Sequence, residues 1–247
     1  MVESAPPLGA VRDAPSRQAC RDFLINSLGK RLGVPGLAVA AGWGLVGLFV
    51  GILVRVLSVR LARGEDLEAG RRPWQVYGPV AATAVLFAIF GWRIGAGPVL
   101  LIRSLWVALL VQVIFFDLEH QLILDRVLLP GGVAALLLSL FTPHLGVLAS
   151  VLTGVVMGAL FLAMAALGSL VFKAEAMGLG DVKLSIFLGL ILGPQPAFLA
   201  VLIGLILAGV VAGGLVLLRL RSMRDSIPYG PFLAAGALAA LYTLAGQ

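Results

Sequence analysis

Two aspartates stand out because their residue type and sequence context are compatible with acid–base catalysis. Asp117 follows an apolar run, and Asp181 closes a Gly-Leu-Gly-Asp tetrapeptide just before another apolar segment. Two carboxylates brought together can share one proton, because two like charges in close contact do not both ionise cheaply. One member can then act as a general base on a water molecule, while the protonated member polarises a carbonyl group.

The surroundings of these aspartates set them apart from the rest of the chain. Gly178 and Gly180 remove side chains beside Asp181, which would let a substrate backbone approach closely. Between Glu68 and Asp225 the chain has five acidic residues: Asp117, Glu119, Asp125, Glu175 and Asp181. Ionisable groups at the edge of a bilayer are costly and are usually paired or functional. Their clustering is therefore the strongest signal that the residues themselves provide.

Each of the other three acids also has a structural interpretation. Asp125 precedes an apolar segment, so a helix N-cap is as good an interpretation as a functional role. Glu175 is interpreted as a solvated loop charge. Glu119 lies on a different helix face from Asp117 and is compatible with either role. If all the acids cap helices or pair with basic residues, no catalytic pair exists.

Two further residues lie close to the aspartates in sequence. His120 is three residues from Asp117 and could contact it, although a neutral histidine at the membrane interface is the more common arrangement. Lys183 either neutralises the aspartate pair or anchors its helix at the interface. The residues alone leave both alternatives open.

The elements that must position these side chains are membrane helices. Of the 247 residues 60% are hydrophobic and 12% are charged, about half the charged fraction of a soluble domain. Helices are expected because an open strand edge cannot satisfy its backbone groups in lipid. The pattern predicts about eight spans, at residues 34–58, 78–92, 99–116, 127–141, 147–171, 184–198, 197–218 and 228–245, with a tight turn at 193–196.

The predicted organisation is one membrane-embedded domain, residues 34–247, behind a polar tail. The tail, residues 1–33, includes a mixed stretch that could lie as a helix on the membrane surface. Residues 59–77 form a short connection after the first span. The single cysteine, Cys20, excludes an internal disulfide and a multi-cysteine zinc site, and no metal or cofactor is expected.

Lysine and arginine predict the orientation. The loops after spans 1, 3, 5 and 7 hold Arg60, Arg63, Arg71, Arg72, Arg126, Lys173, Lys183, Arg219, Arg221 and Arg224, whereas the alternate loops hold Arg93. The first set therefore faces the cytoplasm, together with both aspartates. The basic residues of the tail point the other way, and we give the loops more weight. The net charge of +6 is assigned to orientation and lipid contact, so no nucleic-acid partner is expected.

Three blocks around these residues resemble the bacterial type IV prepilin peptidases, which are GxGD-type aspartic proteases. The first is FDLEHQLILD at residues 116–125, and the second is MGLGDVKL at residues 177–184. The third, IPYGPF at residues 227–232, resembles the signature that opens the family's last helix. The end of the first span, residues 47–55, is also similar to the family.

The resemblance implies a fold, a reaction and a location. It implies an aspartic endopeptidase that cleaves prepilins or pseudopilins after a short basic leader, in the service of pili or secretion. The enzyme would lie in the bacterial cytoplasmic membrane with its active site facing the cytoplasm. The catalytic aspartates would be Asp117 and Asp181.

The sequence departs from the family in two places. Leu124 stands where the family usually has proline. The large cytoplasmic insert after the first helix, with its paired CxxC motifs, is missing, and residues 59–77 contain no cysteine. In many relatives that region is linked to zinc binding and to N-methylation of the new pilin terminus, so methyl transfer is not expected here.

Two other functional classes are considered. A small transporter or structural membrane protein would use the loop acids as ion ligands or helix caps, and mid-span charges such as Arg103 would mark it. A presenilin-like or signal-peptide-peptidase-like enzyme shares GxGD, but its first aspartate follows tyrosine rather than phenylalanine. The substrate and the oligomeric state are left open.

Overall fold

The computed structural model describes residues 34–68, 70–141, 146–172, 178–219 and 228–245. Eight helices account for the regular structure of these residues, which confirms the predicted all-α architecture. In chain order they are α1 (Val34–Gly64), α2 (Pro73–Ile94), α3 (Pro98–His120), α4 (Asp125–Ser139), α5 (Val147–Phe172), α6 (Leu179–Leu192), α7 (Pro194–Leu217) and α8 (Gly230–Leu244). The predicted polar tail and its surface helix lie outside the described residues.

The described helices fall into two length classes. By length and composition, five of them (α1, α2, α3, α5 and α7) are long and apolar enough to cross a membrane. The others, α4, α6 and α8, have 15, 14 and 15 residues. Such a helix is about 22 Å long, which is shorter than the roughly 30 Å hydrocarbon core. The protein is thus a polytopic helical membrane protein in which three short helices pack among five long ones.

Helix α3 ends later than the hydrophobic pattern predicted. The span was expected to end at residue 116, but the helix continues to His120, so Asp117 and Glu119 lie in its last turn rather than in a loop. Gln121 ends the helix in the left-handed conformation, at φ 53°, and its N–H donates to the Asp117 carbonyl oxygen at 2.8 Å. Backbone hydrogen bonding therefore continues past the point where the apolar side chains stop.

Helices α4 and α6 begin earlier than predicted, for the same reason. Helix α4 begins at Asp125 and its N-cap is Leu124, so the predicted N-cap role of Asp125 is wrong. Helix α6 begins at Leu179 rather than at Leu184, with Gly178 as its N-cap. Asp181 therefore lies in the first helical turn, where the helix dipole favours a carboxylate.

The connection between α1 and α2 is shorter than the predicted segment 59–77. Helix α1 continues through Arg60 and Arg63 to Gly64, and α2 begins at Pro73, which leaves residues 65–72. Long basic side chains can reach from a helix end to the lipid headgroups, so they do not by themselves terminate a helix.

Glycines allow the helices beside the site to pack closely. A Cβ atom on Gly189 of α6 would lie 2.7 Å from Cα of Gly154 in α5, so small residues let these two helices approach closely. A Cβ atom on Gly204 of α7 would lie 2.9 Å from the carbonyl oxygen of Phe232 in α8. Gly193, at φ 75°, alone joins α6 to α7, so the chain turns tightly where predicted, but residues 194–196 belong to the first turn of α7 rather than to the turn.

Candidate active site

A cavity of about 930 Å³ opens where α3 ends, α4 and α6 begin, and the chain enters α8. Its polar lining comprises Glu65, Asp117, Gln121, Asp125, Arg126, Asp181, Lys183 and Tyr229. Its apolar lining comprises Leu122, Ile123, Leu124, Phe161, Met164, Leu179, Val201, Leu205 and Pro228. The fold therefore brings the two aspartates singled out in the sequence to one cavity, from two different helices.

Asp117 is the deeper of the two aspartates. The residue is 4% exposed, and its carboxylate accepts a hydrogen bond from the backbone N–H of Gly230 at the start of α8. A Cβ atom on Gly230 would lie 2.5 Å from Oδ2 of Asp117, which is closer than van der Waals contact allows. A larger residue at position 230 would therefore force either the backbone or the Asp117 carboxylate to move.

Asp181 lies in the first turn of α6 and is half-buried. It belongs to a helix outside the five that are long enough to cross a membrane, and burial raises the pKa of its carboxyl to about 6. Asp181 is close enough to Asp117 for the two carboxylates to interact electrostatically. The pair therefore has the partial burial and the mutual repulsion that favour a shared proton.

Tyr229 and Gly230 are site residues that the sequence analysis did not single out. Burial and the charge of Asp181 together raise the pKa of the Tyr229 hydroxyl, so this residue lies near the second aspartate. The signal in the sequence was the Pro-Tyr-Gly-Pro segment, which was noted only as a family signature. Its position against α3 and α6 depends on tertiary packing, which local sequence does not reveal.

Glu119 does not line the cavity and instead joins a partly buried polar cluster. Its Oε2 accepts a hydrogen bond from Nη1 of Arg55 at 3.0 Å, and the two side chains are 5% and 13% exposed. Arg55 also donates to the carbonyl oxygen of Gly70, whose N–H donates to Glu119. This Glu119 cluster ties α1, the α1–α2 connection and the end of α3 together.

His120 contacts the same cluster rather than the cavity. Its Nε2 lies 3.6 Å from Oε1 of Glu119, and its ring centroid lies 4.7 Å from that of Phe116. The contact with Asp117 that the sequence left open is not among its described interactions. His120 therefore packs behind the aspartate rather than beside it.

Lys183 and Asp125 form an ion pair at the rim of the cavity. The Nζ atom lies 2.7 Å from both carboxylate oxygens of Asp125, and both side chains are about half exposed. Of the two alternatives for Lys183, neutralising the aspartate pair or anchoring its helix, the described contact favours the second. The pair connects the first turn of α4 with the second turn of α6.

The two glycines of the tetrapeptide have different surroundings. A Cβ atom on Gly178 would meet nothing nearer than 3.9 Å, whereas one on Gly180 would lie 3.0 Å from Cβ of Ile123. Gly180 thus lets α6 pack against the segment between α3 and α4, and Gly178 borders open space. Glu175 lies outside the described residues. Within the described ranges, no three histidine, cysteine or acidic side chains are grouped as metal ligands.

Comparison with known proteins identifies the family. Residues 104–213 match the model of the type IV leader peptidase family, and this range includes both aspartates. A Pseudomonas aeruginosa protein named prepilin leader peptidase/N-methyltransferase is 37% identical over 172 residues, which is 65% of this chain and 56% of that protein. A Bacillus subtilis protein of the same name is 31% identical over 194 residues, 76% of this chain and 74% of that protein.

A third relative of that name, from Pseudomonas putida, is 37% identical over 197 residues, 76% of this chain and 66% of that protein. The chain therefore spans little more than half the length of the P. aeruginosa relative, and more of the other two. No solved structure matches the chain. These similarities show that the chain belongs to the type IV leader peptidase family.

Proposed function

We propose that this protein is a membrane aspartic endopeptidase that removes the short basic leader of type IV prepilins or pseudopilins. Asp117 and Asp181 form the catalytic pair. The proposal rests mainly on one observation: Asp117 and Asp181, from helices that are separate in sequence, are the acidic residues of this cavity that are both shielded from solvent and close enough to interact. The names of the relatives, prepilin leader peptidase, support the substrate class.

The reaction follows from a pair that holds one proton. The ionised carboxylate takes a proton from a water molecule, whose oxygen attacks the scissile carbonyl carbon, while the other carboxyl gives its proton to the carbonyl oxygen. In the tetrahedral intermediate the carbon–nitrogen bond then breaks. The first carboxyl protonates the leaving nitrogen, and the second takes back a hydroxyl proton, so both groups return to their starting states.

The electrostatics of the cavity support this one-proton state. Burial raises the pKa of Asp181 to about 6, whereas a solvated aspartate loses its proton near pH 4. Repulsion between the two carboxylates further opposes the loss of the shared proton. The pair can therefore keep a proton at a pH where the water-activating member is ionised.

The location proposed for the reaction is the cytoplasmic face of the bacterial inner membrane. Both aspartates lie at the end of the helices where basic residues occur: Arg71 in the α1–α2 connection, Arg126 in the first turn of α4, and Arg219 after α7. The described α2–α3 connection on the other side contains no basic residue beyond Arg93, in the last turn of α2. An excess of basic residues marks the cytoplasmic side.

We further infer that this enzyme leaves the new N-terminus of its product unmethylated. The relatives are named N-methyltransferases as well as leader peptidases, so their names assign them both activities. Here, however, the segment between α1 and α2 is residues 65–72, and its Gly70 is already bound to Arg55 and Glu119. A segment this short cannot fold as a domain of its own.

Mass spectrometry of a processed prepilin tests both parts of the proposal. Purified enzyme in lipid vesicles is incubated with a purified type IV prepilin and S-adenosylmethionine. The expected product has lost its leader and carries no added methyl group. An intact leader would disprove the peptidase proposal, and a methylated product would disprove the second inference alone.

A further inference from the structure

Helix α6, which contains Asp181, has α5 and α7 as neighbours, and these two helices pack against different helices. Helix α5 packs against α6, where Ser150 Oγ donates to the Leu190 carbonyl oxygen at 2.5 Å and a Cβ atom on Gly158 would lie 2.5 Å from Cγ1 of Ile186. Helix α7 packs instead against α8 through Gly204. Helices α5 and α7 make little contact with each other. The cavity therefore continues between them.

The alignment of α5 along α6 shows which residues of α5 border the space between α5 and α7. Gly154 lies opposite Gly189, and the Met157 carbonyl oxygen accepts from Ser185 Oγ at 3.3 Å. Because the two helices are antiparallel, one further turn of α5 places Phe161 level with the residue after Asp181, and about two turns place Met164 level with the start of α6. Both residues line the cavity.

Helix α7 supplies the opposite wall. Val201 and Leu205 are one helical turn apart on the same face, and both line the cavity. Gly204 lies beside the carbonyl oxygen of Phe232, so Leu205 is within about one turn of Gly230, which binds Asp117. The apolar wall, defined as Phe161, Met164, Val201 and Leu205, thus begins next to both carboxylates.

The apolar wall has a buried floor and an open edge. Phe161 and Val201 are buried, whereas Met164 is 44% and Leu205 is 37% exposed. All four belong to helices that are long and apolar enough to cross a membrane, and we infer from this that the open edge lies at the depth of the hydrocarbon region. A ligand that occupies this part of the cavity must therefore be apolar, because an unpaired polar group there would cost several kcal/mol.

We propose that the apolar wall is the subsite that binds the apolar residues flanking the scissile bond, and that the substrate reaches Asp117 and Asp181 sideways from the bilayer between α5 and α7. This inference rests on the proposed peptidase function. It commits to one occupant, the membrane-embedded apolar segment of the substrate polypeptide. Asp125 and Lys183, at the rim of the cavity, then lie beside the leader residues on the other side of the scissile bond.

Cysteine cross-linking tests the proposed subsite without requiring turnover. Met164→Cys and Leu205→Cys are made singly in a Cys20→Ala, Asp117→Asn background and reconstituted in vesicles of phosphatidylethanolamine and phosphatidylglycerol. The probe is a purified type IV prepilin with one cysteine in the apolar segment next to its leader. Leu162→Cys and Ile206→Cys are matched controls, since both are exposed on other faces of the same helices.

We expect oxidation to give at least about tenfold more disulfide adduct at positions 164 and 205 than at 162 and 206, which corresponds to about 1.4 kcal/mol of preferential placement. Equal yields at the four positions, or higher yields at the controls, would overturn the subsite. The cysteine substitutions are small, so this arm does not depend on whether bulkier variants fold.

Kinetics provide the second arm. Met164→Trp and Leu205→Trp are expected to raise KM for the prepilin about tenfold with a smaller change in kcat, because they fill the subsite and leave the carboxylates in place. Leu162→Trp and Ile206→Trp should behave like wild type. If wild type removes the leader but all four variants match it, the subsite alone is wrong. If wild type removes no leader, the proposed function and the subsite fall together.

Discussion

At Asp181 the effect of burial outweighs the favourable helix dipole, so the ionised form of its carboxyl is disfavoured. Its folded-state pKa, about 6, lies above the value of 3.8 expected for the unfolded chain. The folded state therefore binds this proton more tightly than the unfolded state does. The resulting stabilisation is fully present below about pH 4 and is lost as the pH rises through about 6. At neutral pH the protein carries a destabilising carboxylate, as is common at catalytic sites.

Asp181→Asn should consequently stabilise the protein at neutral pH. We expect the variant to gain roughly 1 to 3 kcal/mol at pH 7.5, from the loss of a buried charge and of its repulsion of Asp117, and to lose that advantage below about pH 4. Thermal unfolding in detergent at a series of pH values measures this difference. Asp125→Asn is the control, because its exposed ion pair should contribute at most about 1 kcal/mol and show no gain. A lower melting temperature for Asp181→Asn at pH 7.5 would contradict the account.

Gly230→Ala tests the contact between α8 and Asp117. The added Cβ would fall 2.5 Å from the carboxylate oxygen, so either the backbone or the aspartate must move. We expect leader cleavage to fall at least about 100-fold, since small displacements of catalytic groups have effects of that size. Gly209→Ala, where nothing lies within 4 Å, should leave cleavage unchanged. Equal activities in the two variants would show that this contact is not needed.

At the residue scale, the sequence predicted the aspartates but not their neighbours. Asp117 and Asp181 were identifiable because acidic residues are rare and clustered in an apolar chain. Tyr229 and Gly230 were missed because their role depends on where α8 packs against α3. The ion pair of Asp125 with Lys183 was missed for the same reason, since 58 residues separate its members along the chain.

At the element scale, the eight helices were predictable from hydropathy but their ends were not. The ends of α3, α4 and α6 all carry charged residues, which a hydrophobic pattern assigns to loops. Helix ends depend instead on backbone geometry. Gln121 is in the left-handed conformation after α3, and Gly178 is in the extended conformation before α6. The site aspartates were thus expected in loops and occur in helical turns, where their side-chain directions are fixed by the helix.

The Glu119 cluster is the element-scale interaction most amenable to test. Glu119→Ala leaves the partly buried Arg55 guanidinium without its counter-charge, and we expect a loss of roughly 2 kcal/mol of stability. Arg55→Ala should cost a similar amount for the converse reason. Thermal unfolding of both single variants and the double variant measures the coupling, because two members of one pair should not add. Strictly additive losses would mean that the pair does not hold α1 to α3.

At the scale of the whole molecule, both aspartates must face one side of the membrane. Cysteines placed at Leu118 and Leu179, which are exposed near the two aspartates, and at Ala96 in the α2–α3 connection report this in a Cys20→Ala background. In intact cells, a membrane-impermeant thiol reagent should label position 96 and spare the other two. All three should react after permeabilisation. Labelling of only one of positions 118 and 179 in intact cells would rule out an assembled pair.

The sequence also predicted the architecture of the whole molecule, because long apolar segments have few alternatives to helices in lipid. Several of the predicted spans were short, such as 127–141, but the sequence did not separate α4, α6 and α8 from the five helices that are long enough to cross a membrane. Nor did it predict the gap between α5 and α7, which arises because Gly158 directs α5 toward α6 while Gly204 directs α7 toward α8. Helix pairing depends on these contacts between segments distant in sequence.

Leader cleavage by the aspartate variants is the most direct test of the account. Purified wild type, Asp117→Asn, Asp181→Asn and Asp125→Asn are each incubated in vesicles with a purified type IV prepilin, and the released leader is quantified by mass spectrometry. Because one carboxylate cannot both activate water and protonate the carbonyl oxygen, each of the first two variants should lose at least about 100-fold in rate while remaining folded. Asp125→Asn should retain most of the activity. Cleavage near the wild-type rate by either Asp117→Asn or Asp181→Asn would contradict the catalytic pair.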